Sequence, residues 1–565
     1  MGQCADPPED EGLEMETVDD LGIVTLSADA FIDLDPEQRV VAYHLSRAVV
    51  AASAIEFSQR SRFGLLVKEV AEELALHKQA VPEEIGPKVE TFVRRVFVHR
   101  GVHDGWTQRK LEMRLDESEL RLALRAVFSA GAKLPGVRKE ADSSKLLDDL
   151  RPALFDAKVE PSSLNTAAQA VHIKQVLSPL RDASKKADAT TRGGIDPLIS
   201  YLESRSSEAL ERKVRAPRSP FLLSVGPVGP HGSWQGVLML EDAANQTPLD
   251  KLASTAFDLR GLPVEALDRA PARAGIPLTF SGAVGTSSFA VNTVVTPSDT
   301  ARTWVAFPIL DAMASIHSRA VLKAFLPDPE KEADFRRCLP HAYRTRAVLK
   351  HLVGHSVRPK DLKGTLPPSE SEVIRGARAE LLASVASWDP KIVESGWLPD
   401  ATCADVMDAL VPIEHMVGLR AILTSKTIDD SELKASSLIV QSALAKGVLR
   451  EVSREGHWHL QIVERERWRG FVVELAGELL EIERKGDEAA ARSLMARHAR
   501  DLVPRWRDSS VARAKEVGLP SRLVFLSPRL KALRDGKGAI TDATLVESLG
   551  IIETALVDAG KLAMP

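Results

Sequence analysis

Short strand-like stretches, near residues 220, 280 and 525, lie far apart in a chain whose other segments carry helical periodicity. Any sheet or barrel they build must be assembled from distant parts of the chain. The pattern predicts an α+β protein that is predominantly α-helical. From Pro36 to about Phe128, apolar residues recur at helical steps, as in Val40, Val41, Leu45, Val49 and Val50. Leu134 to Asn165 reads as loop-rich, and helices resume to about Lys213. Pro217 to Leu240 and Thr279 to Phe307 read as strands. Helices then dominate from Ile309 to about Glu516, broken by a hairpin at Val448 to Val463 around Glu455-Gly456. The tail from Arg522 to Leu545 reads as strands joined across Asp535 to Gly538, before a last helix. Residues 1–20 are acidic and read as a disordered tail.

With 565 residues the chain has room for several domains or one large two-lobed molecule. Charged residues make up 27% of it and the net charge is only -5, so nothing points to nucleic acid. Cys4, Cys338 and Cys403 form neither a disulfide framework nor a CxxC site, which suits a reducing compartment and predicts a cytoplasmic protein. No apolar run reaches the length of a membrane span, so no integral segment is expected. The start, Met1-Gly2-Gln3-Cys4, fails the myristoylation pattern at Asp6. A lipid anchor on Cys4 remains the alternative, with the acidic stretch from Ala5 to Asp20 as its tether.

The segment with most chemical content is Lys350-His351-Leu352-Val353-Gly354-His355. On a helix, His351 and His355 share one face, the spacing that lets two imidazoles grip one zinc ion. Hydrolysis would also need a carboxylate to take the proton from zinc-bound water, and Leu352 cannot accept one. His341, Glu370, Glu372 and Glu380 are the candidates for a third ligand. His457 and His459 alternate around Trp458 and share a strand face, a second possible metal pair that is more often merely solvated. Glu414-His415 reads as a core or surface pair rather than a catalytic dyad.

Around this segment the chain resembles the dipeptidyl peptidase III family of zinc exopeptidases, whose helix reads H-E-x-x-G-H. Ile374-Arg375-Gly376-Ala377-Arg378-Ala379-Glu380 is similar to the family's E-E-x-R-A-E/D motif. Trp388-Asp389-Pro390-Lys391-Ile392-Val393-Glu394-Ser395-Gly396 reads like its D-P-K-x-V-E-x-G connection. Leu34-Asp35-Pro36, Gly101-Val102-His103-Asp104-Gly105 and Gly232-Ser233-Trp234-Gln235-Gly236 match further pieces in order, so the resemblance runs along nearly the whole chain.

The resemblance implies a mostly helical upper lobe and a lower lobe with a small β-barrel, separated by a cleft. It assigns 244–274 with 321–519 to the upper lobe, and 21–243 with 275–320 and 520–565 to the lower. It also implies loss of activity. Aligned without a gap, the zinc-ligand positions fall on Lys350 and His355 and the base on His351; with one residue deleted, the histidines fall on His351 and His355 and the base becomes Leu352. Gly376 stands where the third ligand belongs. Arg378 and Glu380 match, the latter as an acid that orients a zinc-bound histidine. Glu432 falls at a transition-state-stabilising histidine and Val225 near a substrate-side tyrosine. The expected protein is a pseudo-peptidase without cofactor that retains oligopeptide binding in the cleft, with Lys350 against Glu380 in place of the metal. The alternative is an active metallohydrolase with zinc rebuilt on His351 and His355.

Overall fold

The structure is a computed structural model that describes residues 15–565, except 105–109, 141, 157–165, 205–219, 228–233, 265–271, 282–289, 292–302, 423–427, 429, 500 and 547–548. Cys4 and the Gly232-Ser233 turn therefore lie outside the described residues.

Helices carry most of the chain, and the local sequence explains their ends. The first long one, Pro36–Arg60, begins with Pro at its first position and a reciprocal capping box between Asp35 and Gln38. The hairpin predicted around Glu455-Gly456 forms between strands Leu449–Arg454 and His457–Ile462. Glu455 and Gly456 have φ of 51° and 81° there, the left-handed pair that a two-residue hairpin turn requires.

The largest sheet has five strands in the order Phe221–Pro227, Trp234–Glu241, Ala272–Ser281, Thr303–Ala306, Ala290–Val291. Along Trp234–Glu241, Val237 and Met239 enter one hydrophobic core, while Leu238 and Leu240 enter another on the opposite face. Helices cover both faces, so the sheet has no reason to curl upon itself. The expected β-barrel is corrected here: the described strands form four separate small sheets and no closed barrel. A third core gathers the helices between Gly64 and Leu154.

Three other expectations change. Met15–Val18 is a strand antiparallel to Leu21–Thr25, so the region beyond residue 14 is not a disordered tail. The loop-rich reading of 134–165 misses helix Asp142–Leu154, whose Leu146, Leu147 and Leu150 are buried. Cys338 and Cys403 are joined as a disulfide across 65 residues, because helices Glu332–Leu349 and Ala401–Leu419 pack side by side. Spacing in the sequence could not foresee that pairing, and cysteine usage no longer decides the compartment. Within Pro36–Arg60, one window is long and apolar enough to cross a membrane, Pro36–Ser58, but 67% of it is buried inside the protein, as a core helix would be.

Strand Arg522–Leu526 runs parallel to Leu21–Thr25 and so ties the two ends of the chain together. It also brings Arg522 and Phe525 to the wall of the cavity described next.

Candidate functional site

Helix Glu332–Leu349 does not end at its last α-turn; a π-turn, Lys350–Gly354, continues it. The amide of His355 donates to the carbonyl of Lys350 at 2.9 Å, an i to i+5 bond. The extra residue in the turn carries Gly354 against helix Pro368–Ser387, where a Cβ on Gly354 would lie 2.3 Å from the carbonyl oxygen of Ala379. Only glycine permits that approach. Arg378 spans the same junction, donating to the Gly354 carbonyl at 3.3 Å and pairing with buried Glu483. The first and second motif segments are thus pressed together.

On the other side of this junction is a cavity of about 210 Å³. Tyr343, Arg346, Ala347 and Lys350 reach it from one helix face, at steps of three, four and seven residues. Gly376 and Glu380 line it from Pro368–Ser387, Glu414 and His415 from Ala401–Leu419, and Glu432 from Ser431–Ala445. The two candidate motifs and the segment at Glu432 therefore meet in one place.

Charge inside the cavity is densely paired. Glu380 is buried, and Arg346 Nε lies 2.5 Å from its Oε1. Lys350 Nζ is 3.8 Å from Glu380 Oε2, so the expected contact exists, although Arg346 is the nearer partner. Burial alone would disfavour the Glu380 carboxylate, yet Arg346 and Lys350 hold it below the usual carboxylate range. Glu414 accepts from the Tyr343 hydroxyl and lies 3.3 Å from His317 Nδ1. Against the opposing effect of burial, His317, Arg346 and Tyr343 hold it at about 2. Arg420 is buried and spends its donors on the carbonyls of Pro520 and Val417, each at 2.7 Å. His415 Nδ1 meets Ser436 Oγ at 3.0 Å, and burial lowers its pKa to about 4.

His351 and His355 are not part of this wall. Their rings lie 5.3 Å apart, and burial, with His355 and Lys350 adding repulsion, pushes His351 down to about 3. Leu352 packs its partly buried side chain on the large core. Among the described residues none of the proposed third ligands, His341 included, forms a donor cluster with the pair: Glu370 binds Arg492 at 2.9 Å, Glu380 binds Arg346, and Glu372 is exposed. Among the described residues, the one cluster of three potential metal donors is Cys338, Asp400 and Cys403, and its two sulfurs are joined to each other. The positions aligned with the zinc ligands do not fit the ion either, since Lys350 presents a cation and Gly376 no side chain.

Other candidates separate. His459 is buried against Arg513 Nη1 at 3.2 Å, whereas His457 faces Glu516 at 3.4 Å, so the two histidines serve different partners. Val225 is buried in the core behind the five-stranded sheet, away from the cavity wall. Sequence reasoning missed His317, Tyr343, Arg346 and Arg420. The spacing of Tyr343, Arg346 and Lys350 was available as a polar helix face, but His317 and Arg420 had no local signal.

No protein-family model and no curated protein matches the chain. Solved structures do. Dipeptidyl peptidase III from Caldithrix abyssi superposes with a TM-score of 0.63 at 14% identity, covering 89% of this chain and 96% of that one. Dipeptidyl-peptidase III from Corallococcus sp. strain EGB gives a TM-score of 0.60 at 16% identity, with 90% and 95% covered. The chain has a fold like that of dipeptidyl peptidase III along nearly its whole length.

Proposed function

We propose that this protein is a dipeptidyl peptidase III-like protein that has lost peptidase chemistry and holds the end of a peptide instead of cutting it. Lys350 carries this reading. It stands 3.8 Å from Glu380 where the gapless resemblance puts a zinc ligand, and a cation there both lacks a free electron pair for the metal and repels it. Gly376 removes the third ligand. Of the two residues that can occupy the base position, Leu352 cannot take a proton, and His351, held at about 3, is too weak a base near neutral pH.

A cavity of about 210 Å³ is smaller than most small-molecule pockets, so it suits one terminal residue of a peptide better than an extended chain. Glu432 on its wall is exposed and, among the described residues, engaged in no ion pair, which suits an α-ammonium group. The metallohydrolase alternative lacks a third donor beside His351 and His355 among the described residues.

The test is elemental mass spectrometry of protein purified without chelator and then challenged with excess zinc, alongside hydrolysis of dipeptidyl arylamides. Near-zero zinc and no hydrolysis are expected. One tightly held zinc per chain, lost in His351→Ala or His355→Ala, would overturn the reading.

A further inference from the structure

A second cavity, of about 760 Å³, lies among the N-terminal helices and shares no lining residue with the one around Glu380. Its size falls within the range of pockets that enclose a small organic molecule. One wall is helix Pro36–Arg60. Tyr43, Arg47, Val50, Ala54 and Phe57 follow at three- and four-residue steps, a strip about 21 Å long. Between Arg47 and Phe57 this wall is low, because Ala51, Ser53 and Ala54 are small.

Charges on the lining separate into two kinds. The acids are answered from within: Glu72 meets Lys561 at 3.1 Å as well as Lys68, Asp182 meets Lys185 at 3.0 Å, and Asp558 meets Arg529 at 2.8 Å. Glu69 is exposed to water. At the Phe57 end, Lys68 and Arg100 sit 5.9 and 5.8 Å from the ring centroid, and Arg100 also donates to Ser53 Oγ at 3.4 Å. Arg47 differs from all of these. It is half-buried on the cavity wall and, among the described residues, makes no hydrogen bond, ion pair or ring contact. Its guanidinium nitrogens stay open to the cavity, so five donors are available to an acceptor from outside the chain.

We propose that this cavity binds a small organic anion, a carboxylate or a phosphate ester, whose head pairs with Arg47 and whose body lies over Ala51, Ala54 and the Phe57 ring. The site is independent of the peptidase reading, and either can fail without the other.

The anionic aromatic dye 8-anilinonaphthalene-1-sulfonate has this chemistry and serves as the probe on the full folded chain. It is expected to bind at one site. Arg47→Gln should weaken that site by about tenfold, the worth of one charge-assisted hydrogen bond. Ala54→Leu, which fills the low part of the wall, should weaken it as well, and Glu432→Gln in the other cavity should not. Should Ala54→Leu fail to fold, as judged by its melting curve, Arg47→Gln still decides the matter. Displacement of the dye by inorganic phosphate or by octanoate then identifies the head group. Unchanged affinity in Arg47→Gln, or displacement by neither anion, overturns the assignment.

Discussion

In the cavity around Glu380, Arg346 and Lys350 face Glu380, His317 and Tyr343 face Glu414, and Arg420 is spent on backbone carbonyls. In the larger cavity beside helix Pro36–Arg60, the buried acids are paired but Arg47 is not. The first turns its buried charges upon one another and leaves exposed Glu432 on its wall without an ion pair among the described residues, and the second leaves a half-buried cation open to a partner from outside. The paired buried charges hold the wall of the first cavity together, since a buried ion without its partner is strongly destabilising. An unanswered cation on an open wall marks a site whose partner comes from outside.

The largest break in this contrast is expected from the disulfide. Cys338–Cys403 joins two helices that wall the Glu380 cavity, and a cross-link closing 65 residues limits the unfolded chain by about 4 kcal/mol. Cys338→Ser with Cys403→Ser, or added reductant, should lower denaturation stability by that amount while leaving dye binding beside Arg47 unchanged.

Next is Glu380→Gln, which strips the buried carboxylate from Arg346 and Lys350. A loss of about 3 kcal/mol is expected in urea titrations. A loss near zero would mean that water reaches these charges and that the cavity is not saturated. Gly354→Ala tests the tightness of the same wall. The new methyl would meet the Ala379 backbone, not a flexible side chain, so about 1–3 kcal/mol should be lost.

His415 gives the contrast a pH dependence. Burial lowers its pKa from 6.5 to about 4, so the unfolded chain binds its proton more readily. The stabilisation is complete above about pH 6.5 and is lost as pH falls toward 4. His415→Gln should flatten stability against pH in that window by at most about 1.4 kcal/mol per pH unit. Glu414 acts lower: its carboxylate is held at about 2, so its contribution is complete above its unfolded value, near 4.5, and falls away below it. The smallest effect belongs to Arg47→Gln, expected within about 0.5 kcal/mol because no internal partner is lost. A loss as large as that of Glu380→Gln would erase the difference between the two cavities.

Much of this was legible along the chain. Helical periodicity located helix Pro36–Arg60, the Glu455-Gly456 turn located its hairpin, and the strands near 220, 280 and 525 were where the spacing put them. The contact between Lys350 and Glu380 was foreseen, and the segments at 350–355 and 374–380 do lie against each other. Helix Asp142–Leu154 was not, since Pro152 and a polar surface weaken its pattern. The Cys338–Cys403 pair and the approach of His317 to Glu414 were not, because partners separated by 65 and 97 residues leave no periodic trace.

The sequence by itself determined which residue types stand at the motif positions. Gly376 has no side chain and Leu352 no proton acceptor wherever the chain places them, because those are properties of the residues. The tertiary structure alone decided what surrounds those residues. Whether the strands close into a barrel depends on which helices cover their faces, and whether a charge is paired or open depends on what packs opposite. Only packing brought Arg346 to Glu380 and left Arg47 facing open space.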